Sequence, residues 1–242
     1  MMKGIILAGG LGTRLYPLTK VTNKHLLPVG KLPMIIHAIN KLVVAGISNI
    51  IIVTGTEHMG ATVNLLGSGR DYNCNLTYKV QDTPDGIAGA LSLCKDFASG
   101  DNVVVLLSDN IFKDNIIDTI NKFNSLKDVK SKCVLNIKKV SDPERFGVAY
   151  LDENKIIKII EKPKNPKSNY CVTGIYAYSN DVFSIIPKLK KSQRGEYEIT
   201  DINNFYVNNS SCFYNILKGW WTDAGTHESY RAANNLINDE QV

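Results

Sequence analysis

The chain has 242 residues, 44% of them hydrophobic and 21% charged, values that suit one α/β domain with a sizeable core. Its net charge of +5 is diffuse, with only short clusters such as Lys188-Leu189-Lys190-Lys191 and no basic tract interleaved with aromatics, which argues against nucleic acid as a partner. Five dispersed cysteines without a Cys-x-x-Cys or Cys/His cluster argue against a disulfide framework or zinc site, and no apolar run approaches the roughly 18 residues of a membrane span. The N-terminus leads straight into an apolar strand with no signal-peptide pattern, so a cytoplasmic location with free thiols is expected.

Gly4 to Leu7 reads as a buried strand that empties into Ala8-Gly9-Gly10-Leu11-Gly12-Thr13-Arg14. Glycines let backbone N–H groups approach a ligand as an anion-binding concavity; Arg14 adds a guanidinium fork for phosphate oxygens and Lys24 a second cation. A polyphosphate site is the reading, and a glycine turn beside two solvated charges is its alternative. No Lys-Ser or Lys-Thr follows the glycines, which excludes the P-loop, and Leu15 stands where a dinucleotide fingerprint needs its third glycine. Pro17 opposes a long helix, so the loop is expected to stay extended to about Pro33. Pro33 to Ala45 has helical spacing and stops at Gly46. Asn49 to Thr54 is an apolar strand, Thr56 to Leu66 a second helix and Leu76 to Val80 an alternating strand. Strand, helix, strand, helix, strand predicts a parallel, doubly wound sheet whose ligands sit beyond the carboxyl ends of the strands.

After Gln81, Thr83-Pro84-Asp85-Gly86 is turn chemistry ahead of a helix of small residues. Gln81 carries both donors and an acceptor able to read a pyrimidine edge, with Gly86 allowing close backbone approach; a plain capped loop is the alternative. Asn102 to Leu107 is a strand ending in Ser108-Asp109-Asn110, where Asp109 either serves as a hard oxygen ligand or merely closes a turn. Asn115 to Phe123 reads as a helix and Cys133 to Val140 as a strand. Further strands begin at Arg145 and span Asn154 to Ile160, with no long helix between, so a mixed or antiparallel extension is expected. Glu161-Lys162 can meet sugar hydroxyls and a phosphate, or form an exposed strand end. Tyr170 to Tyr178 alternates as a strand, Asn180 to Leu189 reads as a surface helix, and Asp223 is a second metal candidate or a turn residue before a helix capped by Thr226 and ending near Asn238.

Gly9-Gly10-x-Gly12-Thr13-Arg14-Leu15-x-Pro17-Leu18-Thr19, then Lys24-x-Leu26-Leu27-Pro28-Val29, resembles the signature of sugar-1-phosphate nucleotidyltransferases, closest to the glucose-1-phosphate thymidylyltransferase branch. Glu161-Lys162-Pro163, the stretch Arg194 to Asp201, and Trp221-Thr222-Asp223-Ala224-Gly225-Thr226 extend the resemblance to about Asn235. It implies a single Rossmann-like α/β domain over 1–242, a doubly wound mixed sheet with a smaller antiparallel sugar-binding extension, the nucleotide-binding half ending at about 110. It implies Mg²⁺-dependent transfer of a thymidylyl group from dTTP to glucose 1-phosphate, releasing pyrophosphate and supplying deoxysugars of the rhamnose type for surface polysaccharides. Carried onto this sequence, Arg14, Lys24 and Lys162 are the catalytic set, and Asp109 and Asp223 the metal ligands. Leu7, Ala8, Gly9, Gly10, Gly12, Thr13, Gln81 and Gly86 hold the nucleotide; Asn110, Gly147, Glu161, Val172, Gly174, Arg194 and Thr200 hold the sugar phosphate. A homo-oligomer without membrane or nucleic-acid partners is implied as well.

A phosphate dianion is already a nucleophile, so no general base is needed, and His25, His37, His58 and His227 show no evident catalytic partner. His25 stands where many thymidylyl-transferring members carry Gln, a position used for the base. The sequence ends soon after the terminal helix, where longer members continue into a regulatory extension. The competing readings are transfer from UTP, another sugar phosphate, or a non-catalytic sugar-nucleotide sensor, the last opposed by retention of Arg14, Lys24, Asp109, Lys162 and Asp223.

Overall fold

The structure, a computed structural model, describes residues 2–239. β1 (Met2–Ala8) is buried on both faces from Gly4 onward, as a central parallel strand requires. The following loop is folded back on itself rather than extended to Pro33. Gly12 reverses the chain in the left-handed region (φ 67°), Thr13–Leu15 and Lys24–Leu26 form single 3₁₀ turns, and β2 (Pro28–Val29) and β3 (Leu32–Pro33) make a small hairpin. Leu15, at 0% exposure, pins this loop to a small core of its own with Val29, Met34 and Ala233.

α1 (Met34–Val44), β4 (Asn49–Gly55), α2 (Met59–Leu66) and β5 (Asn75–Gln81) match the expected alternation, with a 3₁₀ turn at Thr56–His58 taking the first part of the second helix. α3 (Ile87–Ser92) and α4 (Lys95–Ala98) lead to β6 (Asn102–Leu107), then β7 (Asn110–Phe112) and α5 (Ile117–Ser125). The second half holds β8 (Cys133–Lys139), β9 (Gly147–Asp152), β10 (Lys155–Glu161) and β11 (Tyr170–Tyr178). After these come α6 (Val182–Ile185), α7 (Ile199–Asn208), β12 (Cys212–Ile216), β13 (Trp221–Asp223) and α8 (His227–Asp239). The surface helix expected from Asn180 to Leu189 is a single α-turn that tightens to 3₁₀ at Ile186–Lys188. Pro187 cannot donate to a continuing helix, and Val182, Phe183, Ile185 and Ile186 are buried, not surface-facing.

The main sheet runs β10-β9-β11-β6-β1-β4-β5, with β8 on β11 and β12 on β8. β6, β1, β4 and β5 are mutually parallel; β11 joins β6 antiparallel and begins the antiparallel extension with β8, β9 and β10. Helices cover both faces because side chains alternate along each strand. Ile5, Leu7, Ile51 and Val53 share one core with residues of α3, α6 and α7; Ile6, Ile50 and Ile52 share the other with residues of α1 and α5. Each such side chain removed from water contributes about 1.5–3 kcal/mol before chain entropy is subtracted. Among the described residues no helix is long and apolar enough to cross a membrane.

Candidate active site

Parallel pairing places the carboxyl ends of β1, β4, β5 and β6 on one side of the sheet, and the loops singled out in the sequence gather there. Lys24 closes over the glycine loop. A β-carbon on Gly10 would lie 3.2 Å from Lys24 Cε, and one on Gly12 would lie 2.9 Å from Lys24 Cβ, so both glycines make room for the lysine stem. Its Nζ donates to Asp109 Oδ2 at 2.5 Å, and Asn110 Nδ2 donates to Asp109 Oδ1 at 3.0 Å. Asp223 arrives through pairing that periodicity does not reveal. β13 lies antiparallel to β7 with Asp223 opposite Asn110, and the Ala224 N–H donates to the Asp109 carbonyl at 2.7 Å. Gly225 marks the meeting point: a β-carbon there would stand 3.2 Å from Arg14 Nη2, 3.5 Å from Asp223 Oδ2 and 3.8 Å from Asp109 Oδ2.

The two acids are held differently. Burial works to raise the Asp109 carboxyl, but the adjacent Lys24 ammonium overrides it and keeps the group well below the usual carboxylate range. Burial pushes the Asp223 carboxyl up to about 6, with the Arg145 guanidinium opposing the rise and the Asp109 carboxylate adding to it. Arg145 was not singled out in the sequence; its Nη2 donates to Asp223 Oδ1 at 3.0 Å and Oδ2 at 3.3 Å. No spacing signal marks it, because only the β13–β7 pairing brings Asp223 within its reach. Among the described residues no group of three or more His, Cys, Asp or Glu side chains could hold a metal. Two carboxylate oxygens facing one point are instead the donor set that suits Mg²⁺, which takes one or two carboxylates and completes its shell with phosphate oxygens and water.

Beside this cluster a cavity of about 260 Å³ is lined by Leu7, Gly9, Gly10, Gln81 and Gly86, together with Lys24 and Asp109. Ala8, at the end of β1, Gly12, where the chain reverses beside Lys24, and Thr13, exposed in its 3₁₀ turn, lie outside the lining. His25, set aside in the sequence for want of a partner, also lines it at 3% exposure. Its Nδ1 shares a hydrogen bond with Ser108 Oγ, and its buried Nε2 has no partner among the described residues. Burial, and then the Lys24 cation, push its pKa down to about 3, so the ring is neutral.

A second cluster forms across β9, β10 and α7. Gly147 pairs with Glu161, Thr200 Oγ1 donates to Glu161 Oε2 at 2.6 Å, and Arg194 Nη2 stands 3.6 Å from Glu161 Oε1. Arg194 also grips Glu198 through both Nε and Nη2, at 2.8–3.2 Å, so Glu198 holds this arginine in place. Lys162, its Nζ 3.8 Å from Glu161 Oε1, adopts a left-handed φ of 42°, which costs about 1–2 kcal/mol for a residue with a β-carbon. Such strain persists where surrounding structure imposes it; here the Lys162 N–H is tied to the Phe146 carbonyl at 2.9 Å. Val172 and Gly174 lie where one edge of β11 changes partner from β9 to β6, and the Gly174 N–H donates to Asn110 Oδ1 at 2.8 Å. Asn110 Oδ1 also accepts from Trp221 Nε1 at 2.8 Å, so this side chain ties β7, β11 and β13 together. The buried Tyr176 connects the two clusters: after desolvation, the Glu161 and Asp109 carboxylates both raise its pKa.

A family model described as Nucleotidyl transferase matches residues 3–240. The chain is 41% identical over 246 residues to a glucose-1-phosphate thymidylyltransferase of Neisseria meningitidis serogroup A, covering 99% of this chain and 84% of that protein. It is 40% identical to one from Mycolicibacterium smegmatis, covering 98% and 82%. Among solved structures, a candidate glucose-1-phosphate thymidylyltransferase of Bacillus anthracis, crystallised with sucrose, superposes with a TM-score of 0.94 at 56% identity over 99% of this chain and 96% of that one. A UDP-glucose pyrophosphorylase complexed with UDP-glucose gives 0.84 at 25% identity, covering 99% and 100%.

Proposed function

The chain belongs to the nucleotidyl transferase family, and on that premise we propose that it transfers a thymidylyl group from dTTP to glucose 1-phosphate, yielding dTDP-glucose and pyrophosphate. The observation that carries this reading is the convergence of Arg14, Asp109 and Asp223 around Gly225, with Lys24 locked to Asp109 beside a cavity that Gln81 faces. Both substrates are anions that repel each other, so the protein's task is to gather cations and align an in-line attack on the α-phosphorus. Arg14 and the loop amides address the β- and γ-phosphates, and Lys24 the α-phosphate, where charge develops. Lys162 orients the attacking sugar phosphate, while Glu161, Thr200 and the backbone near Gly147 and Gly174 receive sugar hydroxyls. Asp109 and Asp223 hold Mg²⁺, which when bound neutralises phosphate charge. The product suits the supply of deoxysugars for surface polysaccharides.

Uridylyl transfer is the second reading. Uracil presents the same N–H and carbonyl edge to Gln81 as thymine, and a UDP-glucose pyrophosphorylase shares the fold over the whole chain. Pyrophosphate release from a matrix of nucleoside triphosphates and sugar 1-phosphates decides between them. Thymidylyl transfer to glucose 1-phosphate is expected to be fastest, and faster uridylyl transfer overturns the choice.

A further inference from the structure

Gln81 ends β5 at the cavity wall, and its amide is not free to turn. Its Nε2 donates to Asp85 Oδ1 at 2.9 Å and approaches the Gly86 carbonyl at 3.4 Å. Both partners accept and neither donates, because a carboxylate and a carbonyl carry no proton to give. The NH₂ end must therefore face them, and Oε1 faces the other way. There a β-carbon on Gly9 would lie 2.7 Å from it, and Oε1 has no hydrogen-bond partner among the described residues. The Gly86 N–H, on the same cavity wall, likewise has no partner among them. An acceptor beside a donor is the complement of an imide edge, an N–H next to a carbonyl.

Asp85 is itself held in place. Its backbone N–H donates to the Thr83 carbonyl at 2.8 Å, and its carbonyl accepts from the Tyr197 N–H at 2.7 Å. Its carboxylate lies directly over Gly89 in α3: a β-carbon there would fall 2.1 Å from Oδ1, closer than any side chain permits. Gly89 is thus the vacancy that lets Asp85 reach Gln81.

We propose that Asp85 is a positioning residue for nucleobase choice. By taking the Gln81 NH₂ it fixes the Gln81 carbonyl toward the base, so the cavity accepts a pyrimidine that donates from N3, thymine or uracil, and rejects cytosine, whose N3 only accepts. The idea rests on the proposed function, since it needs a nucleobase in this cavity. A buried polar group left facing a like group costs enough that the arrangement discriminates by roughly five- to 150-fold.

The test compares kcat/KM for dTTP and dCTP, with glucose 1-phosphate as acceptor, in the wild type, Asp85→Asn and Gly89→Ala. Asp85→Asn keeps the shape of the side chain but can donate as well as accept, so Gln81 can turn its NH₂ toward the base, opposed only by the longer contact to the Gly86 carbonyl. It is expected to lower the dTTP:dCTP preference about tenfold and to raise use of dCTP in absolute terms, which a merely structural role does not do. Gly89→Ala keeps the carboxylate but displaces it, and is expected to erode the same ratio. A ratio within twofold of wild type in both folded variants overturns the positioning role. Wild-type protein that uses neither dTTP nor UTP defeats the underlying functional reading instead, so the two failures are distinguishable.

Discussion

Lys24 and Asp109 depend on each other for more than chemistry. Their side chains are 11% and 17% exposed, so removing one leaves the other nearly buried and unpaired. Lys24→Met is expected to cost a few kcal/mol, somewhat below the 3–5 kcal/mol of a fully buried pair because water still reaches the site. It is also expected to reduce turnover about a hundredfold or more. Lys24→Met combined with Asp109→Asn is expected to stay inactive yet recover stability, because no lone charge remains; urea denaturation of the three proteins reads this. A double variant as unstable as the single one removes the electrostatic account. His25 makes a separate prediction. Burial lowers its folded pKa to about 3 against 6.5 for the exposed imidazole, so between these values the unfolded chain binds the extra proton. Stability therefore falls as pH drops below 6.5, at most by about 1.4 kcal/mol per pH unit, and levels off near 3. His25→Phe is expected to flatten that part of the stability–pH curve, as followed by denaturation at pH 7 and pH 5; an unchanged slope shows that other groups carry it.

At the scale of elements, close backbone approach makes Gly174 a sensitive point. A β-carbon there would lie 2.7 Å from Leu107 Cβ and 2.8 Å from Asn110 Cγ, where β11 meets β6 and neither neighbour can swing aside. Gly174→Ala is expected to cost about 1–3 kcal/mol and to weaken binding of the sugar phosphate more than that of the nucleotide. Equal effects on both substrates place the strain elsewhere. The same elements show what was legible in the sequence. β6 and β11 were readable to the residue, because uninterrupted apolar or alternating runs between turn residues leave little choice. α7 was not, although Ile199, Ile202 and Tyr206 follow helical spacing, because Thr200, Asn203, Asn204 and Asn208 are weak helix formers and its stability comes from packing. β12 was missed as a half-buried edge strand, and β7 and β13 as three-residue strands that only long-range pairing creates. The glycine loop and the cations beside it were visible as a candidate phosphate site. The Asp223–Arg145 contact and the Asp85–Gln81–Gly89 arrangement were not, since they depend on where loops cross.

Across the whole molecule, the last helix holds the first loop. Along one face of α8, His227 Nε2 hydrogen-bonds the Tyr16 carbonyl at 2.6 Å, the Tyr230 hydroxyl donates to the Pro28 carbonyl at 2.6 Å, and Asn234 Oδ1 accepts from the Gly30 N–H at 3.0 Å. Ile237 sits where a side chain on Gly30 would begin, 2.6 Å from that point. The helix starts from a reciprocal cap, Thr226 N–H to Ser229 Oγ at 3.1 Å and Ser229 N–H to Thr226 Oγ1 at 3.2 Å, directly after the Asp223–Gly225 turn that meets Arg14. One rigid element therefore links the turn that meets Arg14 with the first loop, and contacts from the far end of the chain hold the stretch between Tyr16 and Gly30. Tyr230→Phe combined with Asn234→Ala removes two of these bonds, each worth about 0.5–1.5 kcal/mol, without touching a proposed ligand contact. Amide hydrogen exchange across residues 16–30 is expected to speed up about ten- to a hundredfold while β1, β4 and β6 stay protected, and KM for the nucleotide is expected to rise more than kcat falls. Exchange that accelerates equally in the central strands would mean that α8 supports the whole core and not the loop in particular; unchanged exchange in 16–30 would mean that apolar packing around Leu15, to which α8 contributes Ala233, orders the loop without these hydrogen bonds.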